Sequence, residues 1–406
     1  MITSWPTLLI IGLVLCLIQF LAAVPWYLAW TGALQKSPAR PADPGNLFLQ
    51  FLVCIALGTA GIAVSLSFLR DKDYLAAFGR FYGGLLNFQL LLDVLVIGYV
   101  LLLWVWPKGG VVALAAFAEG IRQPMFWFLL LFALFLMLLM PFLPYFTFGE
   151  DLKMVKELGY DTIMLFAGLF GVLAASMSIS EEIEGRTAVT LMSKPVSRRQ
   201  FLLGKFAGIF SASMLMAGLL SLAFFVVVWF KPIYEKGLED PPPPPEWVEQ
   251  WVGKAAQLWP SLGENPVNFL RGVLGWIGDA VAASPGLILG CCQVMVLLAI
   301  AVALATRLPM VVNLVVGMVV FFLGHLTPVL AQVSRERYAL VRFMAQLFDT
   351  LLPALDYFNI GPVLTRELPP IDQFSIYIAS VALYSVLYTA IALLFGLILF
   401  EDRDLA

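Results

Sequence analysis

Apolar runs of eighteen residues or more recur along this chain, among them LLIIGLVLCLIQFLAAVPWYLAW at 8–30, LILGCCQVMVLLAIAVALA at 287–305 and IYIASVALYSVLYTAIALLFGLILF at 376–400. Each is long enough as a helix to cross a hydrocarbon core of ~30 Å. Lipid offers the backbone no hydrogen-bond partners, so a segment that crosses must be a helix or part of a closed barrel. Runs of twenty residues without a period of two do not resemble barrel strands of about ten. The expected fold class is therefore an all-α polytopic membrane protein. With 61% hydrophobic and 13% charged residues, no stretch of charge is long enough to enclose a core of its own.

Length, apolarity and flanking charged or aromatic residues place spans at about 7–30, 48–69, 85–106, 125–148, 162–180, 202–230, 285–305, 310–332 and 375–400. The first is read as a retained span, because it lacks a basic leader and runs past the length of a signal peptide core. Residues 107–124 read as an amphipathic helix of the interface, carrying Glu119 and Arg122 and ending at Pro124. The long connection 231–284 contains five prolines at 241–245, a stiff extended spacer, then EWVEQWVGKAAQLW with Trp247 and Trp251 on one helical face. Short amphipathic pieces broken by Pro353, Pro362, Pro369 and Pro370 fill 334–373, which reads as external or re-entrant. Cys16, Cys54, Cys291 and Cys292 lie inside apolar runs and show no zinc or disulfide spacing.

The most charged block is EEIEGRTAVTLMSKPVSRRQFLLGK at 181–205. Its carboxylates Glu181, Glu182 and Glu184 precede its basic residues, an order that suits a helix dipole, and Ile183, Thr187 and Leu191 give the helix one less polar side. Pro195 ends it. Ser197 then caps a new helix from Arg198, with Gln200 closing a capping box and Val196 placed to staple onto Phe201. The basic residues put this elbow on the cytoplasmic side.

The acidic residues, Gly185, Thr187, Leu191, then Pro195, Val196, Ser197, Arg198, Phe201, Gly204 and Lys205 together resemble the cytoplasmic coupling segment of ABC type-2 exporter permeases. EGIRQPMFWFLLLF at 119–132 resembles the elbow helix and first span of that family, and EDRDLA its short cytoplasmic tail. The resemblance covers about 107–406 and departs at Arg186, which separates Gly185 from Thr187. It implies a six-helix permease core at 107–406 with elbow helix 107–124 and coupling segment 181–200, preceded by an extension 1–106 of about three spans. It also implies that the coupling segment docks on a separate ABC ATPase, through charged contacts of Glu181, Glu182, Glu184 and Arg186 and an apolar plug of Leu191 and Met192. Gly204 and Lys205 would pack and anchor the following helix. The permease would act as a homodimer or heterodimer in the cell (inner) membrane, with ATP and Mg on the ATPase and no cofactor bound by this chain. No phosphate-binding GxxxxGK[ST] loop occurs here, so the chain reads as a translocase subunit and not an enzyme.

With both family ends inside, 149–161, 231–284 and 334–373 fall outside. Three spans before Pro107 put the N-terminus outside together with Arg70, Lys72 and Arg80; a re-entrant 85–106 would return those charges to the cytoplasm. Three spans is the reading taken. Asp93 lies within an apolar run, where a carboxylate at the bilayer centre costs ~3 kcal/mol, so it should face other helices, with Asn87 or Gln89 as partners, or relay protons. His325, the single histidine, precedes Pro328 and reads as a structural hydrogen-bonding group or a sensor of substrate or pH. No catalytic or metal grouping is visible. Net charge of −3 gives no sign of nucleic-acid binding. Two other functions fit the sequence: a non-transporting membrane anchor or mechanotransmission subunit gripping the same kind of ATPase, and a proton-coupled secondary transporter using Asp93 and His325. Substrate identity is not written in the sequence.

Overall fold

The computed structural model describes residues 5–30, 44–68, 71–143, 151–180, 182, 197–236, 246–258, 264–326, 343, 346–347, 352–360 and 371–401. Its elements in chain order are α1 (Trp5–Trp30), α2 (Pro44–Phe68), α3 (Lys72–Val105), α4 (Pro107–Arg122), α5 (Pro124–Leu139) with a short 3-10 turn Met140–Phe142, and α6 (Asp151–Ala175), which runs into a π-helical turn Ser176–Ser180. There follow α7 (Arg198–Lys236), α8 (Glu246–Leu258), α9 (Glu264–Ala305), α10 (Met310–His325), a 3-10 turn Leu355–Phe358, and α11 (Ile371–Glu401). Among the described residues, seven helices are long and apolar enough to cross a bilayer, and the shorter Gly12–Leu28 and Met310–His325 are also apolar. The protein is all-helical and multi-pass.

Several helices outrun the spans read from the sequence. α3 begins at Lys72 and α9 at Glu264, so the segment 231–284 contributes the end of α7, all of α8 and the first half of α9. The span expected from about 285 thus begins some twenty residues earlier, and its helix continues through Asp279 and Pro285. Asp279 is accommodated by Arg80 of α3, whose guanidinium lies 2.6 Å from its carboxylate.

The chain divides into two compact units, Met1–Leu101 with Leu238–Ala282, and Leu102–Gly237 with Ala283–Ala406. In the first, α1 and α2 form a hairpin held by Tyr27 against Phe48 and Phe51, at ring separations of 5.4 and 5.2 Å. α3 meets the first half of α9 through small residues. A Cβ at Gly79 would overlap the carbonyl of Phe269, and one at Gly272 the carbonyl of Ala76, so only glycine permits this approach. In α8, Val248 and Val252 are buried while Trp251 is exposed, and Glu249 pairs with Arg271 of α9 at 3.1 Å.

The second unit is organised on α7, against which α4, α5, α6 and α11 pack. α4 and α5 follow one another along it, broken at Gln123, whose extended backbone (φ −66, ψ 132) precedes Pro124 as a residue before proline should. Gly204 faces Val112 and the carbonyl of Gly109, Gly208 faces Ala116 and the carbonyl of Ala113, and Ala212 sits beside Gly120. The two helices thus run in the same direction, backbone close to backbone. Further along α7, Phe142 packs on Phe230 and Tyr234 at 6.0 and 5.1 Å. α6 meets the second half of α9 where Gly286 and Gly290 receive Tyr160 and Met164.

Candidate functional site

The N-terminus of α7 is built by the capping box expected from sequence. The Ser197 N–H donates to Gln200 Oε1 at 3.1 Å, and the Gln200 N–H donates to Ser197 Oγ at 3.2 Å. Orphan donors of the first turn are thereby satisfied reciprocally, which fixes where the helix starts and hence which way its next residues point. Val196 and the staple it would make lie outside the described residues.

Two turns on, Lys205 emerges into an otherwise packed region with only 6% of its side chain exposed. Its ammonium donates to Glu182 Oε1 at 2.5 Å, to Ser178 Oγ at 2.7 Å and to Glu119 Oε2 at 3.0 Å. One cation, with three donors, therefore ties α7 to α4, to the π turn ending α6, and to the beginning of the 181–200 block. A buried lysine without anionic partners would lose its charge or disrupt the packing around it; two carboxylates and a hydroxyl keep it in place. Burial pushes the Glu182 carboxyl above the ordinary glutamate range, against the pull of Lys205, with Glu119 adding to the upward push.

The π turn is fixed from its other side. Ser176 Oγ donates back to the Val172 carbonyl at 2.7 Å and accepts from Asn313 Nδ2 at 2.9 Å, while the same amide nitrogen reaches the Ala301 carbonyl at 3.1 Å. Ser180 Oγ lies 3.1 Å from the Leu308 carbonyl and 3.4 Å from that of Ala305. A π turn leaves backbone groups off the α-helical ladder, and here serine and asparagine side chains hold the neighbouring carbonyls at the place where α6 gives way to the charged block. Around the same end of the unit, Arg198 donates to the carbonyls of Phe400 and Glu401 at 2.9 and 2.7 Å, and Arg307 to that of Leu399 at 2.8 Å. These guanidinium groups satisfy the last carbonyls of α11 and complement its dipole.

Near the other end of α7, Lys231 is also buried, with 3% of its side chain exposed. It pairs with Glu235 of its own helix at 2.8 Å, approaches Asp151 of α6 at 3.9 Å, and donates to the Pro141 carbonyl at 3.2 Å.

Of the residues singled out in sequence, Glu182, Ser197, Arg198, Asp93 and His325 are described; Glu181, Glu184, Gly185, Arg186, Thr187, Leu191, Met192 and Pro195 lie outside the described residues. Asp93 is 4% exposed, and its hydrogen bond goes to Trp26 of α1 rather than to Asn87 or Gln89 of its own helix. His325 Nδ1 lies 2.8 Å from the Phe321 carbonyl and Nε2 lies 3.1 Å from Gln293 Nε2. With Nδ1 donating to that carbonyl, Nε2 accepts from the amide, and both ring nitrogens of a neutral imidazole are satisfied. Among the described residues, no group of three or more His, Cys, Asp or Glu side chains could hold a metal.

Sequence reasoning passed over three parts of this site: Ser178 with its π turn, Glu119 as an ion-pair partner, and Lys205 as their centre. The pattern SMSIS at 176–180, three serines closing an apolar span, was the available signal.

The Lys205 cluster thus joins α7, α4, the π turn ending α6 and Glu182. The family described as ABC-2 family transporter protein matches residues 111–405. No curated protein and no solved structure gives a significant match. The family region takes in every member of the Lys205 cluster, and the chain belongs to the ABC-2 family of transporter permeases.

Proposed function

We propose that this chain is the membrane-spanning permease subunit of an ATP-driven exporter, with a six-helix core preceded by about three N-terminal spans. The 181–200 segment is its cytoplasmic dock for a separate nucleotide-binding ATPase. Family membership implies such an ATPase partner; the observation that carries the coupling assignment is the Lys205 cluster. Glu182 sits at the edge of the docking segment and shares its cation with α4 and the end of α6. A displacement of the segment by a closing ATPase is passed through that cation to α4, α6 and α7 together, because breaking a buried ion pair costs more than moving the helices as one body. Two permease chains would then change the side to which the space between them opens, in the cell (inner) membrane. ATP and Mg belong to the ATPase. Both ring nitrogens of His325 are engaged within the protein, which supports a structural role for it.

The test is copurification from the native membrane in mild detergent, repeated with Glu182→Arg and Leu191→Asp. Recovery of a nucleotide-binding ATPase with the parent chain, reduced in both variants, supports the dock. Equal recovery with all three, or no ATPase even after cross-linking in the membrane, overturns it.

A further inference from the structure

The first unit contains a cavity of about 600 Å³ that the transport reading does not use. It is lined by Gln19, Ala23, Trp26 and Tyr27 of α1, Gln50, Phe51 and Cys54 of α2, and Leu85, Phe88 and Gln89 of α3. All of these precede the family-matched region. Its volume falls in the range of small-molecule sites, roughly 300–1,000 Å³.

The lining is mostly apolar and aromatic, with one primary amide from each of three helices and no charged side chain among the residues named above. Such amides within membrane helices are unusual, and each offers both donors and an acceptor. The complementary ligand is therefore neutral, carries hydroxyl or ester groups that donate and accept, and has a hydrocarbon part for the rings.

Two of the lining residues, Gln19 and Trp26, are met from behind by side chains of α3. Asp93 of α3 hydrogen-bonds Trp26, and farther along α3 the buried Tyr82 ring lies beside Gln19, its hydroxyl without a hydrogen-bond partner among the described residues. Tyr82 and Asp93 are 2% and 4% exposed, and the Asp93 Oδ1 atom has no hydrogen-bond partner among the described residues. A buried carboxyl group on the indole of Trp26 holds an aromatic wall in position, at the cost of an unsatisfied oxygen in an apolar setting. A helix bundle that only needed to pack would place leucine there.

We propose that the α1–α2–α3 cavity binds a neutral, hydroxyl-bearing membrane lipid, its polar group among Gln19, Gln50 and Gln89 and its chain along Phe51, Leu85 and Phe88. The inference does not depend on the docking assignment, since the cavity and the Lys205 cluster share no residue.

The full chain in phosphatidylcholine vesicles would be irradiated with a photoactivatable monoacylglycerol, or with a photoactivatable phosphatidylglycerol of the same chain length, and the adducts mapped. Adducts of the neutral probe concentrated on residues 19–27 and 85–89, displaced by excess unlabelled monoacylglycerol, are the expected result. Gln19→Leu with Gln89→Leu should lower that labelling about tenfold, the effect of losing roughly one hydrogen bond, and leave labelling of exposed Phe128 and Leu131 unchanged. Ala23→Trp, which fills the cavity, should do the same; should it fail to fold, the glutamine pair decides. Equal labelling by both probes, labelling that excess lipid does not displace, or labelling unchanged by the glutamine pair overturns the proposal.

Discussion

The two buried lysines of α7 lie about 39 Å apart along the helix at 1.5 Å per residue, close to the full thickness of a bilayer with its headgroups. Each has two carboxylates within ion-pair reach, yet they differ in what they connect. Lys231 takes its shortest partner, Glu235, from the next turn of its own helix, and its contact with Asp151 is long. Lys205 takes all three partners from other segments, 23, 27 and 86 residues away in sequence. The first arrangement secures a helix end; the second joins four pieces of chain. Burial of a charge is therefore not by itself a sign of coupling, and the sequence separation of its partners distinguishes the two.

That difference can be broken experimentally. Lys205→Met should have the largest effect, about 3 kcal/mol of stability and loss of communication with the ATPase, because it leaves Glu119 and Glu182 facing one another. The figure is at the low end for a broken buried pair, since Glu119 is 41% exposed and partly screened. Melting in detergent and nucleotide-dependent cross-linking measure the two components. Gly208→Ala should cost about 2 kcal/mol, because its Cβ would overlap the Ala113 carbonyl and force α4 away from α7. Gly98→Ala, whose Cβ meets nothing within 4 Å, is the control that should not destabilise. Lys231→Met should cost about 1 kcal/mol in the same melting assay and leave nucleotide-dependent cross-linking intact, because its close partner sits on the next turn of its own helix and its contact with Asp151 is long.

The smallest effect is in pH dependence. The folded protein holds the Glu182 proton more tightly than the unfolded chain, so this group's contribution to stability is complete below the ordinary glutamate range. It is lost as pH rises through its raised value. Glu182→Gln should remove that slope from melting curves taken from the ordinary glutamate range upward. An unchanged slope would show that Glu182 does not titrate as its burial requires.

The same contrast explains what the sequence disclosed. The capping box at Ser197 and Gln200 was readable because its two hydrogen bonds span three residues, and helix starts are local events. Helix existence was readable wherever apolar runs met the length of a bilayer. The continuation of α9 through Pro285, and its tolerance of Asp279, depended on Arg80 far upstream, so the boundary was placed too late. Asp93 likewise found its partner on α1, not within its own helix. Lys205 looked like an anchor since nothing in its neighbourhood announces Glu119 or Ser178; only the glycine and alanine faces that bring α4 against α7 make the cluster possible. GKFAG at 204–208 carries that small-residue spacing and was the clue to close helix packing there.

The most direct test compares the two lysines within one complex. The permease and its copurified ATPase would be reconstituted in vesicles, and hydrolysis measured relative to the ATPase alone for the parent chain, Lys205→Met and Lys231→Met at equal ATPase content. All three should bind the ATPase, the parent and Lys231→Met should change its rate alike, and Lys205→Met should leave it at the rate of the ATPase alone. If Lys205→Met alters hydrolysis as the parent does, the buried cation is not the link between dock and membrane helices.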